Sequence, residues 1–169
     1  MRVLVIGGTG MLGSDVVHEL RSRGHEVLSP SSSELDITDP LGAASVASGA
    51  YGKIDWCVNC AAYTAVDKAE TDADAATLLN AIAPGYLARS CAMAGTKLLH
   101  FSTDFVFDGL SSTPYTEAMP THTLGVYGRT KREGEEAVLA GDPSALILRT
   151  AWLYGPNGGS FPRTMIRAW

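Results

Sequence analysis

The sequence lacks both a long apolar run and an excess of basic residues. Its 169 residues contain 13 Lys and Arg against 18 Asp and Glu, a formal net charge of -5. A membrane-spanning helix needs roughly 20 consecutive apolar residues, and a nucleic-acid-binding surface needs clustered positive charge. The sequence therefore predicts a protein that neither spans a membrane nor binds nucleic acid.

Cysteine is scarce, and the first residues lack the layout of a signal peptide, because the apolar start runs directly into Gly7. The three cysteines, Cys57, Cys60 and Cys91, are an odd number, so we expect a reducing, cytoplasmic compartment. Cys57 and Cys60 form a CxxC pattern, which redox and zinc pairs also show. The surrounding residues predict a buried strand, in which positions three apart face opposite sides. We interpret these cysteines as small buried hydrophobic residues and predict no metal site.

What the chain does contain is a regular alternation of short apolar runs and helical patterns. Strands that alternate with helices predict a doubly wound parallel sheet, a three-layer α/β/α fold with a Rossmann-like core. Pro84 is expected to kink the longest helix. The predicted strands are residues 2–6, 26–29, 54–59, 97–102 and 145–149, and the predicted helices are residues 11–23, 40–48, 72–94, 124–140 and 161–169.

A glycine-rich turn, GGTGMLG at residues 7–13, follows the first strand and opens the first helix. Its form is GxxGxxG, a departure from the common GxGxxG. Glycines let the backbone approach a pyrophosphate, and a helix N-terminus supplies N–H donors and positive partial charge. The turn therefore predicts a dinucleotide site, although glycines also serve tight turns.

The end of the second strand bears on which dinucleotide is bound. An acidic residue there would reject a 2′-phosphate, whereas this strand ends in Ser29 followed by more serines. We expect NADPH, with NADH tolerated. A serine-rich loop without any role in binding remains an alternative.

Tyr127 and Lys131 lie four residues apart in a segment with a helical pattern, so they would share one helix face. A nearby cation lowers the pKa of a tyrosine, which suits proton transfer in carbonyl and alcohol chemistry. A solvated helix face is the alternative. Gly125, Gly128 and Gly134 are poor helix formers, so we expect another backbone or a cofactor to approach this helix closely.

Two further segments follow predicted strands, at the edge where open parallel sheets bind ligands. Thr103 and Asp104 follow the fourth strand, and the Thr103 hydroxyl is suited to a hydrogen bond with a substrate carbonyl; a local capping role is the alternative. Asn59 ends the third strand, and the small residues after it lie where a cofactor could approach the backbone. Asn59 is also a common turn residue.

Together these segments resemble the extended short-chain dehydrogenase/reductases, and more narrowly the dTDP-4-dehydrorhamnose reductase family. The resemblance covers nearly the whole chain in the family's order. It is carried by GGTGMLGSDV (7–16), LDITDP (35–40), NCAAYTAVDKAE (59–70), STDFVFDG (102–109), VYGRTKREGE (126–135) and LRTAWLYGPNGGSF (148–161).

The resemblance implies roles for individual residues. It implies a catalytic triad of Thr103, Tyr127 and Lys131, and substrate contacts at Thr103, Asp104 and Trp152. Tyr127 and Lys131 would also contact the cofactor. The other implied cofactor contacts are Gly7, Gly10, Met11, Leu12, Gly13, Asp36, Ile37, Ala61, Ala62 and Tyr63.

The implied activity is reduction of the C4 keto group of a dTDP-6-deoxy-4-keto-hexose by NADPH or NADH. The substrate would be the nucleotide sugar dTDP-4-dehydrorhamnose and the product dTDP-L-rhamnose, a polysaccharide precursor. Some family members form homodimers through a magnesium site, to which Asp15 corresponds; a homodimer is compatible with the resemblance, but we predict no metal. Phe105 stands where the family usually has Tyr, so a polar contact with the substrate is lost.

Two other functions stay open. One is epimerisation or dehydration of a sugar nucleotide on the same scaffold. Dehydratases carry an acidic pair after the Thr, whereas here Asp104 is followed by Phe105, which argues against dehydration and leaves epimerisation open. The other is a non-catalytic nucleotide-binding module, against which the complete set of Thr103, Tyr127 and Lys131 argues.

The domain organisation follows from these segments. We assign residues 1–150 to a dinucleotide-binding domain and expect residues 151–169 to begin a substrate-binding part. Because a new helix starts at Phe161 and no further strand closes the pattern, we expect most of that part to be absent and the chain to be the leading part of a longer protein.

Overall fold

A five-stranded parallel sheet in the order β2-β1-β3-β4-β5 forms the centre of the protein, whose computed structural model describes residues 1–169. From β1 the chain moves outward to β2 and then returns to the other side of β1 to form β3. The gap between the carboxyl ends of β1 and β3 is therefore the switch point at which such sheets bind ligands. The strands are β1 (Arg2–Ile6), β2 (Glu26–Leu28), β3 (Trp56–Asn59), β4 (Lys97–Thr103) and β5 (Leu146–Thr150).

Helices connect the strands and cover the sheet. The connections between parallel strands carry helices, as such crossovers require. None of these helices is both long enough and apolar enough to cross a membrane. The helices are α1 (Met11–Ser22), α2 (Pro40–Ala44), α3 (Val66–Ala69), α4 (Ala73–Thr77), α5 (Ala83–Ala94), α6 (Val126–Gly141) and α7 (Phe161–Ala168).

Alternate residues of the central strands pack into two separate cores. On one face, Leu4 of β1 packs in a cluster with Leu87 of α5 and Val138 of α6. On the other face, Val5 packs in a cluster with Val17 of α1. Because adjacent strand residues point to opposite faces, these clusters put helices on both sides. The predicted doubly wound α/β/α fold is confirmed.

The two cysteines of the CxxC pattern separate between these cores. Cys57 is buried in the α5–α6 core, whereas Cys60 packs against the α1 core. Burial raises the pKa of the Cys60 thiol to about 12. All three cysteines are free, and the interpretation as small buried residues holds for Cys57 and Cys91, whereas Cys60 is only partly buried.

The predicted long helix 72–94 is divided by a π-helical turn, Leu78–Ile82, between α4 and α5. Pro84 has no N–H, so it cannot donate to the carbonyl of Asn80 as a helical residue would. A wider turn at this point accommodates the missing bond. The helix ends as expected at Gly95, in a left-handed conformation with φ 66°.

Other boundaries differ in places where local signals are weak. The predicted helix 40–48 extends only over Pro40–Ala44, where Asp39 caps Leu41 and Gly42, and the serines and glycine that follow favour turns. The short helix α3 was not predicted. No residue of α7 is buried, and the expected division into residues 1–150 and 151–169 stays a prediction.

Candidate active site

The glycines of the 7–13 turn hold β1, α1 and the segment after β3 close together. Gly7 has φ +73°, and a Cβ on it would lie 2.7 Å from the amide nitrogen of Ala61. Gly13 faces the carbonyl oxygen of Gly7 so closely that a methyl group would overlap it. Larger residues would therefore push apart the backbones around the switch point.

The N-terminus of α1 opens onto this turn without a competing side chain. Gly10 is the N-cap and makes no side-chain capping bond, and the first turn contains no acidic residue. The first N–H groups of a helix have no partner within it and carry partial positive charge. This end of α1 is therefore suited to an anion such as a pyrophosphate.

Two cavities adjoin the α1 N-terminus. The main cavity, of about 640 Å³, is lined by the start of α1, the ends of β3, β4 and β5, and α6. The side cavity, of about 280 Å³, extends from the glycine turn towards Ser32 and Asp36. Both are lined by Gly10, Cys60 and Ala62, so a long ligand could occupy them together.

Most residues singled out in the sequence line one of these cavities. The main cavity is lined by Gly10, Met11, Leu12, Ala62, Thr103, Asp104, Tyr127, Lys131 and Trp152. The side cavity is also lined by Gly7, Asp36, Ile37 and Ala61. Gly13 and Tyr63 line neither: Gly13 packs behind the turn, and the Tyr63 hydroxyl donates to Asp72 at 3.0 Å.

Thr103 and Tyr127 meet where β4 ends against α6. The Thr103 hydroxyl donates to Asp104 Oδ1 at 3.1 Å and accepts from the Phe105 amide at 3.2 Å. Burial raises the pKa of Tyr127, the neighbouring Thr103 hydroxyl partly opposes this rise, and the Asp104 charge adds to it. Tyr127 therefore keeps its proton at neutral pH.

Lys131 is 2% exposed and is directed at β4. Its Nζ donates to the carbonyl of Phe101 at 2.7 Å. Burial lowers the pKa of Lys131 to about 8, and Glu135 opposes the shift. The expectation that Lys131 lowers the pKa of Tyr127 is wrong for this structure, because burial of the phenol dominates and Lys131 makes its hydrogen bonds with β4.

Trp152 lines the main cavity in an unusual backbone conformation. Its φ of 54° is positive, which bulky residues rarely adopt. Its ring meets the ring of Phe161 edge-on, with centroids 5.4 Å apart. The segment after β5 thus returns to the cavity at a strained residue.

The comparisons with known proteins agree with this architecture. A family described as RmlD substrate binding domain matches residues 1–169. The chain belongs to this family. The dTDP-4-dehydrorhamnose reductase of Mycolicibacterium smegmatis is 44% identical, over 98% of this chain and 50% of that protein. A probable dTDP-4,6-dihydroxy-2-methyloxan-3-one 4-ketoreductase of Streptomyces antibioticus is 50% identical, over 98% of this chain and 56% of that protein.

Solved structures extend the comparison. A dTDP-4-dehydrorhamnose reductase of Bacillus anthracis, solved in complex with NADP, has a TM-score of 0.93 and 35% identity, covering 98% of this chain and 58% of that one. The chain thus spans about half the length of the RmlD-family relatives it matches. A UDP-glucose 4-epimerase of Thermus thermophilus, at 23% identity and a TM-score of 0.81, shares the fold alone. The expected resemblance to dTDP-4-dehydrorhamnose reductases is confirmed.

The sequence patterns did not single out two buried polar residues of this RmlD-family chain. Asn80, fully buried in the π turn, accepts from the Tyr63 amide at 2.8 Å and donates to the Tyr63 carbonyl at 3.0 Å and to Thr130 at 3.2 Å. His100 is fully buried in β4 beside Lys131. Each is a polar residue within an apolar run, which is the signal that could have identified it.

Gly134 of α6 makes the expected close approach to another backbone, whereas Gly125, the N-cap of α6, meets a side-chain carboxylate. A methyl group on Gly134 would overlap the carbonyl oxygen of Asn80, and a Cβ on Gly125 would lie 2.8 Å from Glu70 Oε1. Glu70 Oε1 also accepts from the Val126 amide at 2.8 Å at the start of α6. These contacts fix the position of the helix that carries Tyr127 and Lys131.

Proposed function

We propose that this protein is a reductase that converts dTDP-4-dehydrorhamnose to dTDP-L-rhamnose with NADPH or NADH. One observation carries the proposal: Thr103, Tyr127 and Lys131 line the same cavity as the N-terminus of α1. A proton donor and a dinucleotide site are thereby adjacent, as carbonyl reduction requires. The names of relatives at 44% and 50% identity support the same chemistry.

The residues of the turn and the two cavities fit a dinucleotide. The uncapped N-terminus of α1 would hold the pyrophosphate, and close packing at Gly7 leaves the backbone free to approach it. Asp36 and Ile37 would contact the adenosine in the side cavity, and Ala62 would lie at the nicotinamide side. When bound, the reduced nicotinamide would supply the hydride. NADPH is the preferred form, in keeping with NADP in the Bacillus anthracis relative.

Each catalytic residue has a role that suits its surroundings. Thr103 would donate a hydrogen bond to the substrate carbonyl and orient it. Tyr127, which burial keeps protonated, would donate its proton to the oxygen as negative charge develops there. Lys131 would hold the nicotinamide ribose. Gly13 would support the turn rather than contact the cofactor, because it packs against Gly7.

Asp104 and Trp152 would contact the sugar nucleotide, since both line the main cavity. Phe105 offers no hydroxyl to the substrate. We further propose that residues 1–150 bind the dinucleotide and that residues 151–169 begin the substrate-binding part. The relatives differ in the sugar that their names give: a relative of Streptomyces niveus at 44% identity is named a dTDP-4-keto-6-deoxy-D-glucose reductase. The identity of the hexose is therefore the part of the proposal with the least support.

Cofactor titration is the first test. The 169-residue chain, titrated separately with NADPH and NADH and followed by calorimetry, should bind both, and NADPH more tightly. Absence of binding to either would refute the dinucleotide site.

Turnover is the second test, made on the full-length protein, with dTDP-4-dehydrorhamnose and dTDP-4-keto-6-deoxy-D-glucose as competing substrates and NADPH absorbance as the measure. Tyr127→Phe should lose at least about 100-fold in kcat and still bind NADPH. Tyr86→Phe, which removes a hydroxyl outside both cavities, is the matched control. Cofactor binding without turnover would favour a non-catalytic module, and sugar interconversion without net NADPH oxidation would favour an epimerase.

A further inference from the structure

A row of polar side chains crosses the interior beneath the main cavity. Asn59 of β3 and His100 of β4 are paired across the two strands, so their side chains leave the same face of the sheet. Both are buried, as is Lys131, which reaches this face from α6. Asn59 Nδ2 lies 3.1 Å from His100 Nδ1, and His100 Nε2 lies 3.4 Å from Lys131 Nζ.

The backbone at one end of the row sets the orientation of Asn59. The Ala61 amide donates to Asn59 Oδ1 at 3.1 Å. The atom of Asn59 that faces His100 is therefore the amide nitrogen, which can only donate. His100 Nδ1 must accept this hydrogen bond and carries no proton.

The orientation of Asn59 in turn selects the tautomer of His100. A neutral imidazole with an unprotonated Nδ1 carries its proton on Nε2. Burial, reinforced by the Lys131 charge, lowers the pKa of His100 to about 3, so the ring is neutral at physiological pH. The N–H of Nε2 then points at Lys131.

Lys131 consequently faces a donor. An ammonium has three N–H donors and no lone pair. A charged Lys131 therefore cannot accept a hydrogen bond from the Nε2–H, and two donors face each other. A neutral amine can accept from Nε2–H while it donates to the Phe101 carbonyl, 2.7 Å away. Every member of the row then has a complementary partner only when Lys131 is neutral.

We propose that Asn59 and His100 are positioning residues that set the charge of Lys131 by holding the Nε2–H of His100 against its amine. The effect of this pair on Lys131 does not require a bound ligand. Its importance for catalysis rests on the proposed function, in which Lys131 holds the nicotinamide ribose next to Tyr127. Neutralisation of Lys131 would remove a positive charge from that end of the main cavity.

Other groups around Lys131 also act on its charge. Burial lowers the pKa of Lys131 to about 8, and Glu135 on the same helix opposes the shift. Glu135 is itself paired with Arg149 of β5. Besides His100, the titratable and charged groups on this side are Glu135 with its partner Arg149, and the three groups that line the same cavity as Lys131, namely Tyr127, Asp104 and Cys60.

The first test is 15N NMR of the 169-residue chain without cofactor. The His100 spectrum should show a protonated Nε2 and an unprotonated Nδ1 from pH 6 to pH 9. The Lys131 Nζ signal, assigned by its loss in Lys131→Met, should titrate at least one pH unit below the reference lysine value of about 10.4. A protonated Nδ1, or a Lys131 that titrates at the reference value, would overturn the proposal.

The second test reverses the tautomer. Asn59→Asp keeps an acceptor for the Ala61 amide and offers a second oxygen to His100, so the imidazole proton should move to Nδ1 and Nε2 should accept from the Lys131 ammonium. The Lys131 midpoint should then rise by at least one pH unit. A rise without the change of tautomer would mean that the added charge acts alone, and a change of tautomer without a rise would mean that His100 does not control Lys131; either result contradicts the proposal.

Asn157→Asp, the same exchange at an exposed site, should alter neither signal. If Asn59→Asp does not fold, His100→Gln decides the matter without adding a charge: the Gln oxygen can accept from the Lys131 ammonium, so the Lys131 midpoint should rise, and an unchanged midpoint would mean that burial alone sets it. In the full-length protein, with a dTDP-4-keto sugar and NADPH, Asn59→Asp should move the pH midpoint of kcat/KM in the same direction as the Lys131 midpoint. Because the NMR experiments need no cofactor, they judge the Asn59–His100 pair even if the reductase assay fails.

Discussion

Gly128 of α6 lies against the carbonyl oxygen of Phe105 so closely that a methyl group on Gly128 would overlap it. Phe105 follows Thr103 and Asp104 at the end of β4, and Gly128 follows Tyr127. The Phe105 and Tyr127 rings meet edge-on, with centroids 5.5 Å apart. The missing side chain at Gly128 therefore lets the Tyr127 helix approach the Thr103 turn.

Gly128→Ala should destabilise the protein despite the better helix propensity of alanine. The propensity gain is at most about 1 kcal/mol, and overpacking against a backbone oxygen costs about 1–3 kcal/mol. Because the overlap is with backbone, which cannot swing aside as a side chain can, the cost should lie in the upper part of that range, and we expect the free energy of unfolding in urea to fall by about 1–2 kcal/mol. Gly159→Ala is the control, because Gly159 has nothing within 4 Å of a Cβ. An unchanged or more stable Gly128→Ala would show that α6 moves away at little cost.

Asn80→Ala should lower the free energy of unfolding by more than the removal of an exposed amide does. Asn80 satisfies both backbone polar groups of Tyr63 and also bonds Thr130. Each buried group left without a partner costs about 1–3 kcal/mol, so we expect a loss of at least about 2 kcal/mol in urea unfolding. The exposed Asn157→Ala, which loses one bond to Asp15, should change stability by less than about 0.5 kcal/mol. Equal effects in the two variants would count against the structural role of Asn80.

Glu135→Gln should weaken the attachment of α6 to β5. Arg149 contacts both carboxylate oxygens of Glu135, at 2.9 and 2.7 Å, and the Glu135 side chain is 7% exposed. The NH2 group of Gln would face one Arg149 N–H, so that two donors meet. We expect the free energy of unfolding to fall by about 2 kcal/mol, which is less than for a fully buried pair because Arg149 is partly exposed. Glu136→Gln on the same helix breaks an exposed pair with Arg132 and should cost less than about 0.5 kcal/mol. Similar losses would mean that burial does not strengthen the Glu135 pair.

Stability should fall on acidification partly because of His100. Its pKa is about 3 in the folded protein against 6.5 as the ordinary value. Between these values the unfolded chain binds more protons than the folded one, so stability decreases as the pH falls through this window, by up to about 1.4 kcal/mol per pH unit. His100→Gln cannot titrate and should show a shallower decline between pH 6.5 and pH 4 in urea unfolding. The exposed His18→Ala should keep the wild-type slope, and an unchanged slope in His100→Gln would refute the assignment.

Alkaline pH should relieve the cost of burying Lys131. Its folded pKa of about 8 lies below the ordinary value of 10.5, so the unfolded chain binds more protons between these values and stability rises with pH across that window. Lys131→Met should lack this rise and be more stable than the wild type at pH 7. Lys53→Met, at an exposed position, should change neither quantity. A Lys131→Met variant that is less stable at pH 7 would show that the hydrogen bond to Phe101 outweighs the cost of desolvation.

The helices and strands were predictable wherever the signal was local. The apolar run at Arg2–Ile6, the glycine turn and the stop at Gly95 lie within the segments they define, and the observed boundaries there agree to within a residue. The π turn before Pro84 was not predicted, because a missing hydrogen bond can produce a kink or a wider turn. The outcome depends on packing against α6, where Gly134 meets Asn80.

The sequence by itself determined the fold class and which segments meet at the candidate site, because parallel strands bring their carboxyl ends to one edge and periodicity specifies the strands. Only the tertiary structure decided the chemistry within that site. It directed Lys131 to Phe101 and His100 and left Tyr127 with a raised pKa. It also joined Asn59 to His100 across β3 and β4. Burial and the pairing of donors with acceptors depend on neighbours that are distant along the chain, and local patterns contain no information about them.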